Sequence, residues 1–232
     1  MNTTYIERRG EIETYFDHTA VDAWKRLTSD APVGRIRATV RAGRDRMRGT
    51  LLSWLPQDLT GSRLLDAGCG TGALAVEAAR RGAAVVAIDL SPTLVDLARE
   101  RAPRDLGAGS IDFRSGDMLD PALGEFDHVV GMDSLIHYDT PDILRVLSAL
   151  CQRTRGTMLF TFAPSTPLLA TMHAVGRLFP RGDRAPSIQP VSQARLLAGI
   201  AGEPALRQWR QGRTQRIASG FYTSQAVEMV RS

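Results

Sequence analysis

The chain has 232 residues, 43 % hydrophobic and 23 % charged, with 29 basic against 25 acidic side chains. This is the profile of one globular domain with at most a small appendage, and it excludes disordered, collagen-like and disulfide-scaffold proteins. No apolar run approaches the roughly 20 residues that span a bilayer, and Met1–Glu13 is too polar for a secretory leader. Cys69 and Cys151 make neither a disulfide framework nor a four-ligand zinc site, so a cytoplasmic location is expected.

Residues 1–59 read as a helical N-terminal cap, with helices expected at Ile6–Tyr15, Ala20–Leu27 and Arg35–Leu55. In the last of these, Ile36, Val40, Met47, Leu51 and Leu55 recur near spacings of three and four or their multiples, and Trp54 joins that side. The same helix carries Arg35, Arg37, Arg41, Arg44, Arg46 and Arg48, offset only by Asp45. One reading is a surface for an anionic partner such as nucleic acid, acidic lipid or a carboxylate substrate; the other is a solvated helix face. No aromatic residue interleaves with the run, which argues against nucleic acid.

From residue 60 the pattern changes to strands alternating with helices. Strands are expected at Arg63–Ala67, Ala83–Leu90, Ile111–Arg114, Phe126–Met132 and Thr157–Phe162. Helices are expected at Ala73–Arg81, from Ser91-Pro92 onward, and at Asp142–Cys151. The implied fold is α/β, a mostly parallel doubly wound Rossmann-like sheet covered on both faces. Five prolines in 163–190 mark an inserted lid. A helix at Val191–Ala201 and two closing strands, Ala205–Gln211 and Gly220–Val230, complete a 60–232 domain with an antiparallel C-terminal edge.

Absent motifs narrow the chemistry. There is no Gly-Lys-Ser/Thr loop, no HExxH, no CxxC and no Gly-x-Ser-x-Gly, and Lys25 is the only lysine. The strongest positive signal is Leu64-Leu65-Asp66-Ala67-Gly68-Cys69-Gly70-Thr71-Gly72, between the first strand and its helix. Gly68, Gly70 and Gly72 permit a tight turn against which a ligand can lie. Asp89 and Leu90 end the second strand, where a carboxylate can accept from both ribose hydroxyls. Asp117 and Met118 follow the third strand, suited to an adenine amino group and ring. No phosphate-binding cluster accompanies them, so the ligand is an adenosine with a small charged tail, S-adenosylmethionine. Asp66 is then the partner for its ammonium. Cys69 is a small turn filler. In Gly131-Met132-Asp133-Ser134-Leu135-Ile136-His137-Tyr138 after the fourth strand, Met132 is a further cofactor-binding candidate and His137 falls where it can face the methyl group or the acceptor. His128, inside a strand, reads as structural.

Residues 64–72, 89, 117–118 and 126–138 resemble class I S-adenosylmethionine-dependent methyltransferases. Tyr15-Phe16-Asp17-His18 through Trp24-Lys25-Arg26-Leu27, together with Leu135-Ile136-His137-Tyr138, resemble the magnesium-protoporphyrin IX O-methyltransferase family. The resemblance implies methyl transfer to the ring C propionate of Mg-protoporphyrin IX in bacteriochlorophyll biosynthesis, with magnesium carried by the substrate and no protein-bound metal. Tyr15 and His137 are the expected catalytic residues. His137 would orient the carboxylate, act as a base, or approach the magnesium. The cap and lid, with Phe162, Leu168, Leu169, Met172, Leu178 and Phe179, are expected to form the pigment slot. Peripheral membrane association and contact with the porphyrin-binding subunit of magnesium chelatase are further expectations. The competing readings are a methyltransferase acting on a quinone or phenol, an RNA-modifying protein, and a cofactor-sensing scaffold.

Overall fold

The structure, a computed structural model, describes residues 3–15, 34–165 and 188–232. Its elements in chain order are α1 (Thr3–Thr14), α2 (Arg35–Ser53), β1 (Arg63–Ala67), α3 (Ala73–Arg80), β2 (Ala84–Asp89), α4 (Pro92–Arg101) and β3 (Ser110–Ser115). They continue with β4 (Phe126–Gly131), α5 (Thr140–Cys151), β5 (Thr154–Phe162), α6 (Gln193–Gly202), β6 (Trp209–Ser219) and β7 (Tyr222–Arg231). The expected helix at 20–27 and the core of the lid, with Leu168, Leu169, Met172, Leu178 and Phe179, lie outside the described residues, as do Lys25, His18 and His173.

Seven strands form one sheet in the order β3-β2-β1-β4-β5-β7-β6. β1 to β5 are parallel, and β7 runs antiparallel to both β5 and β6. The period of two in a strand divides the core between two faces. Leu65, Ala67, Val86, Ile88 and Val129 pack with Ile12 of α1, Ile143, Val146 and Leu147 of α5, and Leu196 of α6. Leu64, Val85, Ala87 and Val130 pack with Met47 and Leu51 of α2 and Leu74 and Ala78 of α3.

Local chemistry explains the starts of the helices. Ser91 caps α4, its hydroxyl accepting from the Leu94 N–H at 3.2 Å, with Pro92 behind it. Asp139 caps α5 and Ser192 caps α6 in the same way. The parallel order reverses between β1 and β4, so a crevice opens at the carboxyl ends of those two strands.

The expected antiparallel C-terminal edge is present: β6 and β7 pair as a hairpin, with β7 between β5 and β6. Three sequence expectations need correction here. The first closing strand, β6, begins at Trp209 rather than Ala205, after a 3-10 turn at Pro204–Leu206, and runs on to Ser219. Ile36 is 59 % exposed, since the buried stripe of α2 begins only at Val40 and Gly43. Phe162 is fully buried in the main core and lines no slot. Both described ends of the expected lid meet at the rim of the sheet. The Val191 N–H donates to the Ala163 carbonyl at 2.8 Å, and the Gln189 N–H to the Ile136 carbonyl at 2.9 Å, beside His137.

Candidate active site

The crevice holds a pocket of about 330 Å³ lined by the β1–α3 turn, the ends of β2 and β3, the loop after β4 and one face of α2. Asp66, Gly68, Gly70, Asp89, Leu90, Met118, Met132 and His137 all line it, so most of the residues expected from sequence are brought together. Gly72, Asp117 and Tyr15 are not among the lining residues. Gly72 starts α3 at φ +78°, where a side chain would meet the Phe113 ring and Ala98. Asp117 is turned aside: Arg9 of α1 donates to its carboxylate at 2.8 Å and the Leu119 N–H at 2.9 Å. Tyr15, at the end of α1, is partly buried, and that burial raises its phenol pKa.

The β1–α3 turn is built around glycine at positions other residues avoid. Gly68 sits at φ +84°, and a Cβ there would lie 2.4 Å from that of Ser134 on the facing loop. Both Gly68 and Cys69 donate their N–H to the Ile88 carbonyl, at 2.8 and 3.0 Å, folding the turn against β2. Asp89 closes it from the other side. One carboxylate oxygen accepts from the Gly70 N–H at 2.8 Å and the other from the Ser91 N–H at 3.0 Å. Each oxygen has a second lone pair, so Asp89 can hold the turn and still accept from two ribose hydroxyls.

Asp66 is 1 % exposed, and its pKa is pushed up to about 7, first by burial and then by the neighbouring Asp89 carboxylate. Its Oδ2 and the Ser134 hydroxyl are buried without a hydrogen-bond partner among the described residues. A buried acceptor of this kind is costly unless a donor arrives. A primary ammonium at this end of an adenosyl ligand supplies one, so the residues present fit S-adenosylmethionine. Met118 and Met132, each 8 % exposed, and Leu90 provide apolar walls for the nucleoside. Arg153 fixes the loop after β3 by donating to the carbonyls of Met118 and Asp120. Cys69 also lines the pocket, but burial and two nearby carboxylates raise its thiol pKa well above normal, so it is no nucleophile.

The loop after β4 is held by a network that sequence reasoning passed over. Asp133 has φ +55°, the one positive-φ residue other than glycine among those described. Its carboxylate accepts from Arg44 at 2.8 Å, from the Tyr222 hydroxyl at 3.1 Å, from Ser224 at 3.1 Å and from Thr161 at 3.2 Å. Its own N–H donates to Thr161 at 2.7 Å. Burial and the Asp133 carboxylate together raise the Tyr222 phenol far above its ordinary value, so it stays a donor. Four donors from α2, β5 and β7 thus pin the backbone between Met132 and His137. The sequence signal was faint: aspartate is one of the few residues that tolerates a left-handed turn. Its partners lie 28 to 91 positions away in the chain. Ser134, Ile136 and Tyr138, from the same motif as His137, also line the pocket. His137 is 6 % exposed and faces the same space. His128 lies in β4, away from the pocket lining, and burial lowers its pKa.

The parallel sheet with β7 reversed, and an acidic glycine turn at its switch point, define a class I S-adenosylmethionine-dependent methyltransferase. A family model described as a methyltransferase domain matches residues 64–156. A second, described as the magnesium-protoporphyrin IX methyltransferase C-terminus, matches residues 131–231. The chain is 50 % identical over 229 residues to the magnesium-protoporphyrin O-methyltransferase of Rhodobacter capsulatus, covering 98 % of this chain and 99 % of the relative. It therefore belongs to the magnesium-protoporphyrin O-methyltransferase family. The crystal structure of magnesium protoporphyrin IX methyltransferase from Synechocystis PCC 6803 with bound SAH is similar at a TM-score of 0.83 and 28 % identity, over 97 % of this chain and 100 % of that one. A ubiquinone biosynthesis O-methyltransferase of Xanthomonas oryzae pv. oryzae is 36 % identical over 133 residues, 54 % of this chain and 55 % of the relative. Among the described residues no helix is long and apolar enough to cross a membrane, and no group of His, Cys, Asp and Glu is gathered to hold a metal ion.

Proposed function

We propose that this protein transfers the methyl group of S-adenosylmethionine to the ring C propionate of Mg-protoporphyrin IX, giving the 13-monomethyl ester. The observation that carries the reading is one pocket with two electrostatic ends. Asp66 and Asp89 lie at the glycine turn, suited to a cationic cofactor, and Arg41 and Arg48 of α2 line the same pocket, suited to an anionic acceptor, while Arg44 is tied to Asp133. A propionate has a pKa of about 4.3 and is already ionised at neutral pH, so no strong base is needed to make the nucleophile. The work left to the protein is alignment of oxygen, carbon and sulfur and exclusion of water. In this reading His137 and Tyr15 orient the carboxylate or contact the porphyrin, and residues 1–59 and 163–190 cover the macrocycle. Asp117 acts on the adenine side by holding the loop that carries Met118. Contact with the porphyrin-binding subunit of magnesium chelatase and peripheral attachment to a membrane belong to the same reading. Exposed Ile36 and Phe221, with exposed Arg35 and Arg37 beside the former, support the attachment.

The test is direct. Purified protein, S-adenosylmethionine and Mg-protoporphyrin IX should yield a porphyrin heavier by one methylene, resolved by chromatography. At saturating S-adenosylmethionine its rate should be flat above about pH 6, where the carboxylate is fully ionised. A quinone or phenol acceptor would instead give a rate that climbs with deprotonation of a hydroxyl. Activity on a phenol with none on the porphyrin would sink the proposal.

A further inference from the structure

The six arginines of α2 do not share one environment. Arg35, Arg37 and Arg46 are exposed, whereas Arg41, Arg44 and Arg48 are partly buried and line the pocket. Their spacing of three and then four puts these three on one face of the helix. Arg44 is committed to Asp133, with side chains only 21 % and 5 % exposed. Arg48 holds Asp45 at 2.9 Å, but that carboxylate is 51 % exposed, and pairs of this kind exchange partners at little cost. Arg41 lies one turn before Arg44 on the same face.

The reaction decides what such a stripe can hold. A lone pair on the propionate oxygen forms the new O–C bond while the C–S pair returns to sulfur. A carboxylate and a sulfonium become a neutral ester and a neutral thioether. An arginine on the attacking oxygen would therefore bind the ground state better than the transition state and slow the step. A carboxylate that keeps its charge throughout is bound equally in both states, and arginine contacts to it improve affinity without penalty. Protoporphyrin carries two propionates and only one is esterified.

We propose that Arg41 and Arg48 bind the second, non-reacting carboxylate of the substrate, and so set which acid group faces the methyl. Arg44 in this scheme holds the loop through Asp133 and takes no direct part. The inference rests on the reading of the substrate given above and extends it to specificity.

The experiment compares two acceptors on two enzymes. The acceptors are Mg-protoporphyrin IX and its analogue in which the second propionate is already a methyl ester. The enzymes are the wild type and the double variant R41Q/R48Q. Wild type should show a KM about tenfold to a hundredfold higher for the half-ester than for the diacid, at nearly equal kcat. The double variant should show that high KM for both, with SAH affinity by calorimetry unchanged. Equal KM values for the two acceptors on wild type would overturn the proposal, and this arm needs no variant to fold. So would a double variant that binds SAH and keeps the wild-type preference, or one that loses kcat at constant KM. A wild type that methylates neither porphyrin would instead remove the substrate reading itself, an outcome distinct from loss of discrimination.

Discussion

Near neutral pH the Asp66 carboxyl, pushed up to about 7 by burial and by Asp89, is divided between its two forms. Its folded pKa lies above the ordinary 3.8. The stability it contributes is therefore full below that value and is lost as pH rises toward about 7. In the proposed pairing of the cofactor's ammonium with this carboxylate, the preference reverses. Binding should release a proton near neutrality, visible as a dependence of calorimetric enthalpy on the buffer. Affinity for SAH, which has the same amino acid end, should rise about tenfold from about pH 6 to about pH 7.5. Asp66→Asn should flatten that dependence; a wild type whose affinity ignores pH would detach Asp66 from the ammonium. Asp89→Ala should weaken the cofactor by roughly 2–4 kcal/mol, because ribose hydroxyls and two backbone N–H groups lose their acceptor together. His137→Ala and Tyr15→Phe act elsewhere. Turnover should fall about tenfold to a hundredfold with SAH binding nearly intact, measured by single-turnover rates beside calorimetry. Loss of cofactor binding in both would refute their assignment to the acceptor.

Helix α2 couples packing to the site through Gly43. A Cβ at Gly43 would lie 2.5 Å from the Tyr222 ring, whose hydroxyl donates to Asp133. Glycine inside a helix normally costs about 0.5–1 kcal/mol relative to alanine. Gly49, on the same helix, has nothing within 4 Å of its missing Cβ. Gly49→Ala should accordingly stabilise the protein by up to about 1 kcal/mol. Gly43→Ala should destabilise it by about 1–3 kcal/mol and lower turnover by shifting Tyr222 and the loop it supports. Denaturant midpoints with kcat values distinguish them, and like behaviour of the two variants would deny the packing role. The contrast shows what the sequence could carry. The β1–α3–β2–α4 stretch was legible because its signals are local: a glycine turn, a Ser91-Pro92 start and short buried strands. Gly43 was not, because its reason is the ring of Tyr222, far along the chain. The place of β7 inside the sheet was hidden likewise, since nothing near Tyr222 says which strand it will pair with. Ile36 misled because its spacing continues a pattern past the point where the sheet stops covering it. The arginine run separated into pocket and solvent sides only once Gly43, Met47 and Leu51 fixed which face is buried.

At the scale of the whole molecule, the pocket is where separate parts of the fold meet. β1, β2 and β3 supply the cofactor turns, α2 reaches the β4 loop through Arg44, and α1 reaches the β3 loop through Arg9. A ligand seated there binds the folded state alone, so it stabilises the entire domain by mass action, by about 2.7 kcal/mol at a concentration one hundred times its Kd. In a chain of 232 residues that amounts to a rise in Tm of about 5–10 °C. The titration of Asp66 gives the rise a pH dependence. Toward neutral pH the unliganded fold loses the contribution of its protonated Asp66, while the liganded fold keeps its ion pair and changes little. The increment in Tm at fixed SAH concentration should therefore widen as pH increases. A tenfold gain in affinity is worth about 1.4 kcal/mol, or about 3–5 °C between about pH 6 and about pH 7.5. Scanning wild type and Asp66→Asn with and without SAH measures this directly. The variant should show a smaller increment that no longer changes with pH. An increment that narrowed toward neutral pH in the wild type would mean that the cofactor prefers Asp66 protonated, and the ammonium would then need another partner in the pocket.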